Sequence, residues 1–311
     1  MNFQQLEYIV AVDRLKNFVK AANSCFVTQA TLSMMIKKLE EELEVKIFDR
    51  SKQPVKTTEV GERIILQARK LIAESKRFKE IIHEEKGIVS GELKVGIIPT
   101  LAPYLLPLFL KQFVKNFPLI KLNIHEYTTD VIIQKLQTEE LDAGILATPL
   151  NDVSLNEQVL FYEKYFLYVS EKEKGFDKKY VLAKDIDVDR LWLLEEGHCM
   201  RSQILNFCEL KKKHEHEEHF HYAAGSIETI RNMVDQNFGL TIVPELSTLN
   251  FNAAQKKKVK HFKAPVPVRE ISLVTHREFI KERLIDVLKR TILASIPEEM
   301  QVLKQKNILQ F

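Results

Sequence analysis

The 311-residue chain has no apolar run long enough to cross a bilayer, which takes about 20 consecutive residues. Its N-terminal stretch, MNFQQLEYIVAVDRLKNFVK, has neither an uninterrupted apolar core nor a small-residue cleavage site. No secretory signal is read there, and the expected location is the cytoplasm. Cysteine is scarce, at three residues. In a reducing compartment this excludes a structural disulfide framework and leaves metal binding, catalysis or redox sensing for a close pair of thiols. The chain has no GxGxxG and no Walker sequence, so no nucleotide-binding loop, and no convincing catalytic triad. His214, His216, His219 and His221 cluster in KKKHEHEEHFHY, but without a nearby cysteine or zinc-type spacing the stretch reads as a solvated charged loop. No metal and no cofactor are expected.

What is present is a soluble composition, 45% hydrophobic and 29% charged, in a chain long enough for two domains. The net charge of +3 is unevenly placed: the first 90 residues hold 16 Lys and Arg against 13 Asp and Glu, and the remainder is balanced. KIFDRSKQPVK, with Lys46, Arg50, Lys52 and Lys56 against Asp49, makes a local basic patch suited to a phosphate backbone, although many solvated loops look alike.

Residues 3–13, 17–25 and 28–43 each carry helical periodicity. Leu6, Ile9 and Val10 mark one inner face, Phe18, Ala21 and Ala22 a second, and Leu32, Ile36, Leu39 and Leu43 a third. Thr28 is placed to cap the third helix. Its outer face then presents Gln29, Ser33 and Lys37, with Thr31 and Lys38 beside them. Gln can bond an adenine edge, Ser and Thr a base or phosphate, and Lys a phosphate. Helix, turn and helix with such a polar front edge fit a helix-turn-helix in the major groove, or equally an ordinary three-helix corner. From Glu59 to about Lys86 a long charged helix is expected, with Ile64, Ala68, Leu71, Ser75, Phe78 and Ile82 at alternating spacings of four and three, the seam of a dimer strut.

After a glycine-containing hinge, EKGIVSGEL, strands and helices alternate. ELKVGII, IKLNIHEY and LDAGILA read as strands, Tyr104–Phe117 and Asp130–Thr138 as helices, giving an α/β domain round a parallel sheet. YFLYVS and LTIVPE suggest a second α/β lobe, and ISLVTH a return to the first. Thr100 and Thr129 fall at strand ends, where a hydroxyl either faces a cleft or simply caps the next helix.

Cys199 and Cys208 stand nine positions apart in GHCMRSQILNFC. The segment has helical spacing, and as one continuous helix it would separate their backbones by about 13 Å. A disulfide needs Cα atoms within about 7 Å, so bonding the pair requires the segment to unwind. Cys199, at a helix start beside His198 and near Arg201, is placed for a reactive thiolate, and Cys208 falls on the apolar side. Two buried cysteines acting as small hydrophobes is the alternative.

FQQLEYIVAV, the Ala21–Ala22 pair, TQATLSMMIKKLEEELEVKIFDR and KTTEVGE resemble the DNA-binding domain of LysR-type transcriptional regulators over about the first 65 residues. Ala30 and Glu44 depart from it, standing where that family usually has Pro and Gly. VGIIPTLAPYLLP, HEYTTD, GHCMRSQILNFC and SIETIRNMV extend the likeness to the OxyR group, the peroxide-sensing members, as far as about residue 276. The resemblance implies a winged helix-turn-helix over 1–58, a linker and dimerisation helix with hinge over 59–90, and a two-lobed effector domain, like the periplasmic binding proteins, over 91–311. Lobe I would take about 91–162 and 265–295, and lobe II about 163–264. It implies DNA contacts by Thr28, Gln29, Thr31, Ser33, Lys37, Arg50 and Lys52, and dimerisation through Ile64, Leu71, Phe78 and Ile82. It implies peroxide oxidation of Cys199, a disulfide to Cys208, and a peroxide pocket of Thr100, Thr129, His198 and Arg269. Ser202 stands where relatives often carry an acidic residue. The implied partners are promoter DNA, hydrogen peroxide as signal, RNA polymerase and further copies of the chain as a dimer of dimers, a homotetramer. The implied role is a non-enzymatic activator of antioxidant genes. Competing readings are a regulator whose cleft binds a metabolite, and a thiol peroxidase.

Overall fold

The computed structural model describes residues 1–85, 89–173, 180–183, 186, 190–195, 199–208, 224–236, 239–277, 279 and 281–302, and of residues 73 and 76–85 the backbone alone. His198, the His214–His221 cluster and the side chains of Phe78 and Ile82 lie outside the described residues. The chain divides into two compact units, with the second beginning at Val89.

The first unit opens with α1 (Phe3–Leu15), α2 (Phe18–Ser24) and α3 (Gln29–Glu42). Each start is fixed by a side-chain cap: Asn2 with Gln5 in a reciprocal capping box, Asn17 accepting from Lys20 N, and Thr28 accepting from Thr31 N at 3.2 Å. Leu6, Ile9, Ala21, Ala22, Leu32, Ile36 and Leu39 close the core between the three helices. Leu43, expected inside, is 37% exposed. It caps α3 and no longer follows the helical face. Glu44 then turns left-handed at φ 54°, and Val45 N reaches back to Glu40 O at 3.0 Å. That pattern of closing bonds normally uses glycine.

A two-stranded wing follows, β1 (Phe48–Asp49) against β2 (Lys56–Thr57), and then the 27-residue α4 (Glu59–Glu85). A Cβ on Gly61 would lie 2.2 Å from Ile47 O, so only glycine lets α4 leave the wing this closely. The apolar stripe of α4 is not a free seam from its start. Ala68 is in the helix-turn-helix core and Ile64 packs on it, alongside Ile65 and Ile72. Leu71, by contrast, is 39% exposed. The first turns of the helix are therefore anchored to α1, reinforced by Arg69 to Asp13 at 3.1 Å.

The second unit holds β3 (Gly91–Ile97), α5 (Ala102–Asn116), β4 (Ile120–Glu126), α6 (Thr129–Gln137), β5 (Ala143–Thr148), β6 (Leu155–Val169), β7 (Tyr180–Val181) and α7 (Cys199–Phe207). It continues with α8 (Ile227–Gln236), β8 (Leu240–Pro244), α9 (Glu245–Thr248), α10 (Ala253–Lys258), β9 (Val259–Phe262), β10 (Val268–His276) and α11 (Glu282–Ser295). The sheet runs β4-β3-β5-β10-β6-β9-β7, with β8 also on β6. It is mixed rather than parallel. β3 pairs in parallel with β4 and β5, but β10 is antiparallel to both β5 and β6.

The 15-residue β6 joins the lobes: its first half pairs with β10 and its second with β8 and β9. The sequence exposed only its apolar end, because Asn156, Glu157, Gln158 and Glu163 interrupt the hydrophobic pattern of the rest. Gly144 in β5 lets α6 lie directly on the sheet, since a Cβ there would come within 2.5 Å of Ile132 Cγ2. That contact sets the depth of α6 and of its first residue, Thr129. No helix among the described residues is long and apolar enough to cross a membrane.

Candidate functional site

Two constellations concentrate the chemistry. The first is the outer face of α3 with the wing. Thr28, Gln29, Thr31 and Lys37 are exposed there, while Ser33 is half-buried. Arg50 swings back from the wing and donates to Ser33 Oγ at 3.0 Å and to the buried Glu40 at 3.0 Å, with its guanidinium 4.8 Å from the Phe18 ring centre. Glu40 also accepts from the amides of Ile47 and Phe48, at 2.8 and 3.2 Å, so one carboxylate orients both the wing and its arginine. Lys52 lies 3.6 Å from Asp49, and Lys37 3.6 Å from Glu41. These are exposed ion pairs, weak enough to yield to a phosphate.

The second constellation lies where the lobes meet. β6 and β10 place Arg269 directly opposite Glu163, and both side chains are fully buried. Arg269 Nε donates to Glu163 Oε2 at 2.8 Å, Nη1 to Thr100 Oγ1 at 3.0 Å and Nη2 to Thr100 O at 3.3 Å. Glu163 Oε1 accepts from Leu246 N at 2.8 Å. Burial pushes the Glu163 carboxyl up, opposed by the Arg269 charge and the Leu246 amide. Burial would lower Arg269, but the facing carboxylate outweighs it and holds the guanidinium charged. The guanidinium at 2.8 Å on one oxygen and the Leu246 amide at 2.8 Å on the other favour the charged carboxylate, against its burial.

Beside this pair, α7 brings Cys199 at its first turn. The residue is partly exposed, yet the sulfur's surroundings are desolvated enough that burial raises the thiol pKa. Acting the other way are the Thr129 hydroxyl, the Arg269 charge and the backbone N–H groups of Met200 and Cys199. The helix-start amides thus work in the expected direction, but burial prevails. The positive charge comes from Arg269 rather than Arg201, whose Nη1 instead donates to Leu194 O at 2.8 Å. Thr129 Oγ1 is buried without a well-formed hydrogen bond. It lies beside the Cys199 sulfur, where its hydroxyl favours the thiolate.

Neither threonine is spent on capping. α6 has no side-chain cap, and Thr100 takes the bond from Arg269. The structure therefore brings Thr100, Arg269, Thr129 and Cys199 into one neighbourhood. It adds residues the sequence did not single out. Gln203, one turn after Cys199 and fully buried, accepts from Tyr165 Oη at 2.8 Å. The Tyr165 ring lies 5.7 Å from the Arg269 guanidinium. Only the spacing of four between Cys199 and Gln203 was visible beforehand, and it was masked by the apolar residues around it.

Cys208 follows α7, its amide donating to Ile204 O at 3.0 Å, so the segment is helical through both cysteines. Burial pushes the Cys208 thiol up to about 12. Met200, Ile204 and Cys208 sit in the lobe's core, and Phe207 packs edge-on to Phe262 with ring centres 5.2 Å apart.

Comparison with known proteins matches both units of the chain. Residues 3–62 match the bacterial regulatory helix-turn-helix proteins of the lysR family, and residues 86–295 match the LysR substrate binding domain. The chain is 36% identical to the hydrogen peroxide-inducible genes activator of Haemophilus influenzae over 88% of its own length and 90% of that protein. It is 36% identical to the DNA-binding transcriptional dual regulator OxyR of Escherichia coli over 79% and 80%. Among solved structures, a full-length OxyR variant from Pseudomonas aeruginosa superposes with a TM-score of 0.75 at 34% identity, covering 95% of this chain and 99% of that one. A helix-turn-helix head with a wing, a long connecting helix and a two-lobed domain, matched across these lengths, make this chain a member of the LysR family of DNA-binding transcriptional regulators.

Proposed function

We propose that the chain is a peroxide-sensing transcriptional regulator of the reducing cytosol, with Cys199 as the sensing thiol and Cys208 as its partner. The observation that carries this reading is the Cys199 sulfur beside the buried Thr129 hydroxyl and within reach of the Arg269 charge, which is itself held by Thr100 and Glu163. Arg269 donates to Thr100 Oγ1, which leaves the Thr100 hydroxyl proton free to donate onward. Thr129 supplies a second hydroxyl. Together they suit a small diprotic oxidant better than an anionic metabolite, since the buried Arg269 guanidinium is already paired with Glu163.

The thiolate of Cys199 attacks one oxygen of hydrogen peroxide, the O–O bond breaks, and hydroxide leaves and is protonated to water. Sulfur is oxidised to sulfenic acid. The Cys208 thiol then displaces water from that sulfur to give the disulfide, and a cellular dithiol reverses it. Closing the roughly 13 Å helical separation requires α7 to unwind. That withdraws Met200, Ile204 and Cys208 from the core, at about 2 kcal/mol for each side chain. The S–S bond must supply that free energy, which makes the regulatory unit bistable. Copies of the chain would associate along α4 through the exposed stripe that begins at Leu71, as a dimer of dimers in which each dimer reads two half-sites. Thr28, Gln29, Thr31, Ser33, Lys37, Arg50 and Lys52 are the proposed DNA contacts, and altered spacing of the heads would change engagement of RNA polymerase.

The test treats the reduced full-length protein with one equivalent of hydrogen peroxide and maps disulfides by non-reducing digestion and mass spectrometry. A Cys199–Cys208 cross-link, absent in Cys199→Ser, is expected. Both thiols remaining reduced would overturn the sensor reading and favour a metabolite-responsive regulator, which a thermal-shift ligand screen would then reveal.

A further inference from the structure

The residue at the centre of the exposed face of α3 is not one of its polar residues but Met34. Leu32, Ile36 and Leu39 are fully buried and define the inner face. At 100° per residue the opposite direction falls on Met34, with Ala30 one turn before it and Lys37 and Lys38 to either side. Met34 is 62% exposed, and Ala30, Lys37 and Lys38 are exposed with it. Ser33, farther round the helix, is half-buried under Arg50, and Lys37 leans toward Glu41 at 3.6 Å. What faces a duplex is therefore an apolar pair flanked by cations.

We propose that Met34, with Ala30, reads thymine 5-methyl groups in the major groove and so fixes a thymine within each operator half-site. The inference rests on DNA binding by the helix-turn-helix domain. The thymine methyl is the one apolar feature among the base edges of that groove. A methionine, unbranched and polarisable, can adjust its three torsions to cover it. The flanking lysines match the phosphates on either side of such a contact. An isolated exposed methionine would ordinarily need no explanation. Its central position on the face that enters the groove is what assigns it this role.

The probe is a randomised double-stranded DNA library, from which the full-length wild-type, Met34→Ala and Met34→Leu proteins each select binding sites. Wild-type sites are then remade with deoxyuracil in place of each thymine in turn, which removes only the methyl group. The wild type should lose affinity about fourfold for one critical methyl, the worth of one buried CH₂-sized group. Met34→Ala should bind the two versions equally and select no fixed base at that position. Met34→Leu should keep the discrimination. Thermal melting of Met34→Ala should match the wild type, because the side chain supports no core contact.

Indifference of the wild type to deoxyuracil at every half-site position would overturn the proposal, as would undiminished discrimination by Met34→Ala. Selection of no sequence at all would instead bring down the DNA-reading assignment on which it rests.

Discussion

Replacing Arg269 by methionine removes a charge whose partner cannot leave. Arg269 donates to Glu163 at 2.8 Å, to Thr100 Oγ1 at 3.0 Å and to Thr100 O at 3.3 Å, and its own side chain is fully buried. In Arg269→Met, Glu163 keeps only the Leu246 amide. Stranding one member of a buried pair costs about 3–5 kcal/mol, a large share of the stability of any domain. The cost should depend on pH. Burial already pushes the Glu163 carboxyl up, and without Arg269 nothing charged opposes it. The folded variant then holds its proton to higher pH than the unfolded chain, whose glutamates release theirs near about 4.3. A group whose folded value is raised contributes its stability below the unfolded value and loses it as pH climbs through the folded one. The deficit relative to wild type should therefore widen from pH 5 to pH 8, by at most about 1.4 kcal/mol per pH unit. Urea unfolding followed by fluorescence of Trp192, the single tryptophan, reads the second lobe, on whose core that residue packs. Glu163→Gln combined with Arg269→Met should recover part of the loss, because no charge is stranded. A deficit under about 1 kcal/mol, or one that is the same at pH 5 and pH 8, would refute an ionised buried pair.

Glu44→Gly should stabilise the first unit by about 1 kcal/mol, since Glu44 adopts φ 54° where an L side chain is strained. Calorimetry of the full chain would show a higher melting temperature, and a lower one would mean that the Glu44 side chain makes a compensating contact. Alkylation of Cys199 by iodoacetamide, followed by mass spectrometry, should be slower at pH 7.5 than for a free cysteine and should still be accelerating above pH 9. Only the thiolate reacts, and burial raises this thiol's pKa, so less of it is ionised at neutral pH. A rate that levels off below pH 8 would contradict that ordering.

What the sequence determined by itself is what depends on near neighbours. The Asn2, Asn17 and Thr28 caps bond to amides three residues on. Spacings of three and four put Leu32, Ile36 and Leu39 on one face, and those interactions follow from helix geometry alone. The separation of Cys199 from Cys208 along a helix is a matter of rise per residue, and α7 realises it. Even here the inner face ran one turn too far, to Leu43, because periodicity does not say where a helix stops. Met34 belongs to the same pattern, but an apolar residue on an outer face does not announce a contact.

Tertiary structure alone decided the rest. Arg269 meets Glu163, 106 residues away, only because β10 lies antiparallel to β6 in one register. A shift by one residue would leave the two side chains on opposite faces of the sheet. Tyr165 meets Gln203 across 38 residues, and Thr100 receives Arg269 across 169. Burial, which sets the Cys199 and Cys208 pKa values, likewise belongs to the packed lobe and to no segment of it. Local sequence fixes which backbone groups can bond to each other, whereas pairing between distant strands depends on the free energy of the whole core.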